Sequence, residues 1–198
     1  MISHISEQIL KYLLRSNVIN DSNDEKEYYR YGIEITVSSL LNVILIIFIG
    51  ILFQSVIESI IFLIFFMLIR QFTGGFHADT YFKCNFSFCI SFISVLIMYH
   101  FSEGKITVWF SILISILCVA IILLKCPIEN INKPIPEHKR KFHKCLAVIL
   151  GTGYGITGTI LIALSNKYGV LIVYTLVLVT LLIIAAIIKE RRRKYAEE

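Results

Sequence analysis

The chain has 198 residues, of which 57% are hydrophobic, and a mean hydropathy of +0.77. Soluble domains carry about 45 to 50% apolar residues, so an ordinary soluble fold is excluded and an integral membrane protein is expected. The net charge of +5 sits on residues that flank apolar segments, which points to membrane topology and anionic lipid and away from nucleic acid.

At about 20 residues per crossing, the length leaves no room for a separate soluble domain, so residues 1–198 are read as one membrane domain. Five cysteines, an odd number with several inside apolar runs, do not make a disulfide framework.

Ile2, Ile5, Ile9 and Leu13 recur at helical spacing, with Ser3, Ser6, Glu7 and Lys11 between them. Residues 1–20 are therefore expected to form an amphipathic helix, either lying on the membrane surface or packed on the bundle. Glu7, Gln8 and Lys11 break the apolar run that a cleavable signal peptide needs, so none is expected. Ser22 and Glu25 fit a capping box that opens a second helix, and Tyr28, Tyr29 and Tyr31 form an interfacial belt ahead of the first span.

Apolar runs predict six spans between residues 35 and 188, at 35–53, 56–69, 86–101, 106–124, 145–164 and 170–188. The second is short and contains Glu58, but Arg70 at its end can reach a headgroup, which rescues a short crossing. The fold class is thus all-α, a polytopic membrane protein with about six transmembrane helices behind an N-terminal amphipathic helix. Segment 125–144 holds Pro127, Pro134 and Pro136 and is strongly basic, so it is read as a cytoplasmic loop.

Six spans place every Lys and Arg except Lys105 and Lys167 on one side of the membrane. The positive-inside rule then puts both termini and the loop at 70–85 in the cytoplasm.

That loop carries the chemistry. It reads Arg70-Gln71-Phe72-Thr73-Gly74-Gly75-Phe76-His77-Ala78-Asp79-Thr80-Tyr81-Phe82-Lys83-Cys84, a polar interruption between two apolar runs. A neutral thiol is a poor nucleophile, so a cysteine that attacks a carbonyl needs an imidazole or a cation beside it. His77, Lys83 and Arg70 are the candidates for Cys84. On one continuous helix His77 and Cys84 would stand about 10.5 Å apart along the axis, beyond hydrogen-bond reach. If the pair works together, either the backbone between them bends or side chains from other segments help, and Gly74-Gly75 permits a helix break just before His77. Asp79 could orient His77, although a solvated loop carboxylate is the simpler reading. Gln71, Asn85 or loop amides are candidates for oxyanion donors.

Arg70-Gln71, then Gly74-Gly75-Phe76-His77-Ala78, then Cys84, in a membrane protein of this length, resemble the AgrB family. The resemblance implies a bacterial membrane cysteine endopeptidase with His77 and Cys84 as its catalytic pair. Arg70, Gln71, Gly75, Asp79 and Lys83 are then supporting candidates. It also implies an AgrD-like precursor peptide as substrate, cleaved through a Cys84 thioester and cyclised to a thiolactone or lactone autoinducing peptide for quorum sensing. The location implied is the bacterial cell membrane.

Gly153-Tyr154-Gly155-Ile156-Thr157-Gly158 matches a dinucleotide fingerprint in letters alone, because no strand precedes it. Gly151 and Gly155 instead predict close helix packing, within the protomer or in a homodimer, and a homodimer is expected. His77, Cys84 and Cys89 fit no standard zinc spacing, so neither metal nor cofactor is expected. Two other classes stay open. A small transporter would line its bundle with ionisable groups, but the spans hold few polar residues of this kind, chiefly Glu58 and Asn42, and a scaffold for a peptide partner would tolerate loss of His77 or Cys84.

Overall fold

The computed structural model describes residues 2–16, 23–74, 80–102, 105–128 and 136–197, with the backbone alone at 2, 4, 23, 24 and 193–197. Those residues form seven helices: α1 (Ile2–Arg15), α2 (Asn23–Leu52), α3 (Val56–Thr73), α4 (Tyr81–Ser102), α5 (Val108–Lys125), α6 (Glu137–Ala163) and α7 (Tyr168–Glu197). The last six are each long and apolar enough to cross a bilayer, which gives the multi-pass all-α architecture. The expected capping-box residue Ser22 lies outside the described residues.

Several segments expected as loops are shorter than the apolar runs implied. The second span continues through Thr73, so α3 has 18 residues and rises about 27 Å, close to the hydrocarbon thickness. The third begins at Tyr81 and the fifth at Glu137, immediately after Pro136. Polar side chains at helix ends hide such boundaries from a hydropathy reading. Lys139 to Lys144 therefore occupy the opening turns of α6, and Cys84 occupies the first turn of α4.

Connections on the far side are tight. The Ser55 amide donates to the Gly50 carbonyl at 2.7 Å, and Gln54 takes a φ of 53°. Between α6 and α7, Ser165 has a φ of 57° and the Tyr168 amide donates to Asn166 Oδ1 at 3.0 Å.

Helix α7 is the centre of the bundle. It packs against α3, α4, α5 and α6, and Leu171, Leu176, Val179 and Ile183 are wholly buried. Lipid tails are as apolar as leucine, so helices associate through close packing and interhelical hydrogen bonds. Gly155 faces Ser115 on α5, and Gly158 faces Val173 and Gly169 on α7. Ser111 Oγ donates to Thr159 Oγ1 at 3.2 Å on the same α5–α6 seam. The small-residue stripe is thus filled within the protomer, which leaves the expected homodimer without that stripe as its interface.

Helix α1 packs on α2. Its Ser6 is fully buried, whereas Tyr12 is exposed. The two helices that flank the polar motif, α3 and α4, are joined by rings: Phe62 lies 4.9 Å from Phe92 and Phe66 lies 4.9 Å from Phe88, between centroids. Aromatic pairs of this kind add about 0.5 to 1.5 kcal/mol each beyond area burial. They hold the two site-bearing helices at fixed separation.

Candidate active site

Helix α3 ends where the sequence becomes glycine-rich. Gly74 has φ 65° and ψ −147°, a region open in practice to glycine alone, and its amide still donates to the Arg70 carbonyl at 3.2 Å. The chain leaves the helix axis there. It is held by the segment after α5, since the Ile128 amide donates to the Thr73 carbonyl at 3.0 Å and Gly74 bridges Ile128. The helix break expected at the glycine pair ahead of His77 is present at Gly74.

Arg70 lies one turn before that break. Its Nη1 donates to the Gly74 carbonyl at 2.6 Å, and its guanidinium is within Coulombic reach of the thiols of Cys84 and Cys126. One cation therefore serves the end of α3, the start of α4 and the segment after α5.

Thr80 opens α4. Its Oγ1 accepts from the Lys83 amide at 3.3 Å, as an N-cap does, and its carbonyl accepts from the Cys84 amide at 3.0 Å. Cys84 is half-buried in this first turn, while Lys83 and Gln71 are exposed. Gly75, His77 and Asp79 lie outside the described residues. Asn85 is buried, and its Oδ1 accepts from Ser38 Oγ at 2.9 Å, so this side chain is turned to α2.

Two residues near the break were not singled out as site residues by the motif. Cys126 is buried, and burial pushes its thiol up to about 12, against the opposing pull of Arg70 and Lys144. His143 on α6 packs edge-on against Phe72 at 5.6 Å, and its buried Nδ1 has no hydrogen-bond partner among the described residues. Neither was visible from the motif, because Cys126 ends α5 and His143 lies on α6, both far along the chain from it. No group of three metal-ligating side chains occurs among the described residues.

The family model described as Accessory gene regulator B matches residues 6–187, which takes in the whole motif, the first five spans and most of the sixth. The chain belongs to the AgrB family. It is 29% identical over 146 residues to a protein described as AgrB-like from Clostridium perfringens (strain SM101 / Type A). It is 27% identical over 146 residues to a second AgrB-like protein from C. perfringens (strain 13 / Type A). Each match covers 71% of this chain and 67% of the relative. No solved structure matches the chain. AgrB membership gives it a role in accessory gene regulation and autoinducer processing, with an AgrD-like precursor as partner.

Proposed function

We propose that this AgrB-family chain is a membrane cysteine endopeptidase that cleaves an AgrD-like precursor peptide, with Cys84 as nucleophile and His77 as base. The observation that carries the reading is the seat of Cys84. Its thiol stands in the first turn of α4, seven residues after His77 in sequence, and within reach of the Arg70 charge. A thiolate formed there meets the positive end of a helix and a guanidinium, both of which favour negative charge.

His77 takes the proton from Cys84 Sγ, and the sulfur attacks the scissile carbonyl. The C–N bond then breaks, His77 returns the proton to the departing amine, and the N-terminal part of the precursor stays on Cys84 as a thioester. A thiol or hydroxyl of the same peptide attacks that thioester, Cys84 Sγ leaves and is reprotonated, and a thiolactone or lactone ring closes. Amide to thioester is the uphill step, so removal of the released fragment draws the reaction forward. A half-buried site at the membrane edge keeps water from the acyl-enzyme.

Among the described residues, the Lys and Arg other than Lys105 and Lys167 sit on the helix ends and segments at the motif's end of the bundle, which supports a cytoplasmic site and cytoplasmic termini. The basic opening of α6 and the basic tail would hold anionic lipid at that face.

Co-expression of the precursor with wild type, Cys84→Ser, Cys84→Ala and His77→Ala tests the reading, with membrane insertion checked for each. Wild type alone should yield the shortened or cyclic peptide. Equal cleavage by all four would leave the pair a structural role and return the scaffold or transport readings.

A further inference from the structure

Glu34 stands on α2, far in sequence from the motif. Its Oε2 accepts from Tyr81 Oη at 3.0 Å, and its Oε1 lies 3.2 Å from Ser6 Oγ, whose single proton it shares with the nearer Ser3 carbonyl at 2.9 Å. Arg30 Nε lies 3.9 Å from Oε1, and the Glu34 side chain is only 15% exposed. One turn further along both helices, Ser38 Oγ donates to Asn85 Oδ1, and both residues are buried.

Glu34 and Ser38 are four apart on α2, and Tyr81 and Asn85 are four apart on α4. Residues four apart share a face, so the two bonds are successive rungs of one ladder between the helices. A single bond leaves a helix free to roll about it. Two rungs fix both the rotation and the axial register of the first turn of α4.

Cys84 falls between the rungs in sequence. Successive residues turn by about 100°, so with Tyr81 and Asn85 on α2 the thiol is rotated off that face. It is the rotation that leaves Cys84 to the Arg70 charge. Apolar contacts hold such a setting poorly in a bilayer, because lipid replaces them at little cost, whereas a buried polar pair has no substitute there.

We infer that Glu34 is a positioning residue for Cys84: through Tyr81 it sets the rotation of the helix that carries the thiol, and through Ser6 it couples that setting to α1. The inference rests on the cysteine endopeptidase reading.

The test uses the full chain in lipid vesicles and has two arms. In one, Cys89, Cys118, Cys126 and Cys145 are replaced by alanine, and alkylation of Cys84 by a water-soluble maleimide is timed without any peptide. In the other, precursor cleavage is followed against peptide concentration. Both arms compare Glu34→Ala, Glu34→Gln, Tyr81→Phe and the Glu34→Ala/Tyr81→Phe double variant.

Glu34→Ala and Tyr81→Phe should each lower kcat about tenfold or more, as small misplacements of a nucleophile do, with KM within about twofold. Both should change the alkylation rate of Cys84. Glu34→Gln should restore both readouts, because its amide oxygen accepts from Tyr81 and its amide nitrogen can donate to Ser6. The double variant should fall no further than the worse single one.

Unchanged kcat and alkylation in Tyr81→Phe overturn the inference, and that variant removes a single oxygen, so misfolding does not stand in for the result. Additive losses, or a Glu34→Gln as impaired as Glu34→Ala, overturn it too, since charge and not the ladder would then be required. A wild type that cleaves nothing sinks the endopeptidase reading separately, and the alkylation arm then decides the ladder.

Discussion

Gly74 and Ile128 pair as an isolated parallel bridge, which pins the first residue after α3 to the segment that follows α5. A Cβ on Gly74 would run into the Ile128 carbonyl oxygen, and the positive φ already excludes a side chain. Gly74→Ala should therefore cost about 1 to 3 kcal/mol from backbone strain alone, before the overlap is counted. Thermal unfolding in detergent should show the loss, and cleavage should fall with it because Arg70 anchors to the carbonyl of Gly74 itself. Gly32→Ala, with nothing within 4 Å of its added Cβ, is the matched control. Equal stability of the two variants would remove the bridge from the site's support.

Much of this fold could be read from hydropathy, because a bilayer imposes one length on every crossing. The six spans and the helix break at Gly74 follow from apolar runs and a glycine pair. What local patterns could not carry were the contacts between distant segments. Nothing in the local sequence marks Glu34, since its partners Ser6 and Tyr81 belong to other helices. Cys126 looks like a headgroup-level thiol until the chain after α5 folds back under Arg70. Glu58 reads as the one charge inside a short span, and its partners Tyr99 and Lys167 come from α4 and the turn before α7. The motif set Cys84 next to a polar break but did not show the helix turn that it occupies.

Four glycines of α6 should separate by face. Gly153 has no atom within 4 Å of an added Cβ, so Gly153→Ala should be neutral or stabilising by up to about 1 kcal/mol from helix propensity. At Gly158 the same atom meets Val173 Cγ2 at 2.7 Å and the Gly169 carbonyl at 3.1 Å. Gly158→Ala should destabilise by about 1 to 3 kcal/mol, the cost of overpacking a closed seam. Unfolding temperatures of the two variants check the contrast. A Gly158→Ala as stable as wild type would mean that α6 and α7 can separate freely.

Cys126 should behave as a protonated thiol throughout the neutral range. Its value is raised by burial to about 12 from an ordinary 9, so the folded state holds the proton more tightly than the unfolded one. The associated stability is complete below pH 9 and is lost as pH climbs from 9 toward 12. A variant with Cys126 as its single thiol should resist iodoacetamide at pH 8 when folded and react once denatured. Rapid labelling of the folded protein at pH 8 would show that Arg70 and Lys144 outweigh burial.

At the opposite end of the bundle, Lys167 Nζ lies 3.5 Å from Glu58 Oε1, and Tyr99 Oη donates to the same oxygen at 3.5 Å. The Glu58 side chain is 8% exposed and the Lys167 side chain 47%, so one partner has lost its water and the other has not. Removing one member of a fully buried pair costs about 3 to 5 kcal/mol, and a fully exposed pair contributes about 0 to 1. Lys167→Ala should fall between them, near 1 to 3 kcal/mol, because Glu58 keeps its burial and loses its counter-charge. Adding Glu58→Gln should recover at least half of that loss, since the amide needs no cation. Thermal unfolding of the single and double variants in the same detergent checks both values. If the double variant is the less stable of the two, Glu58 draws its support from α3 and α4, and the turn before α7 is not what holds those helices together at this end.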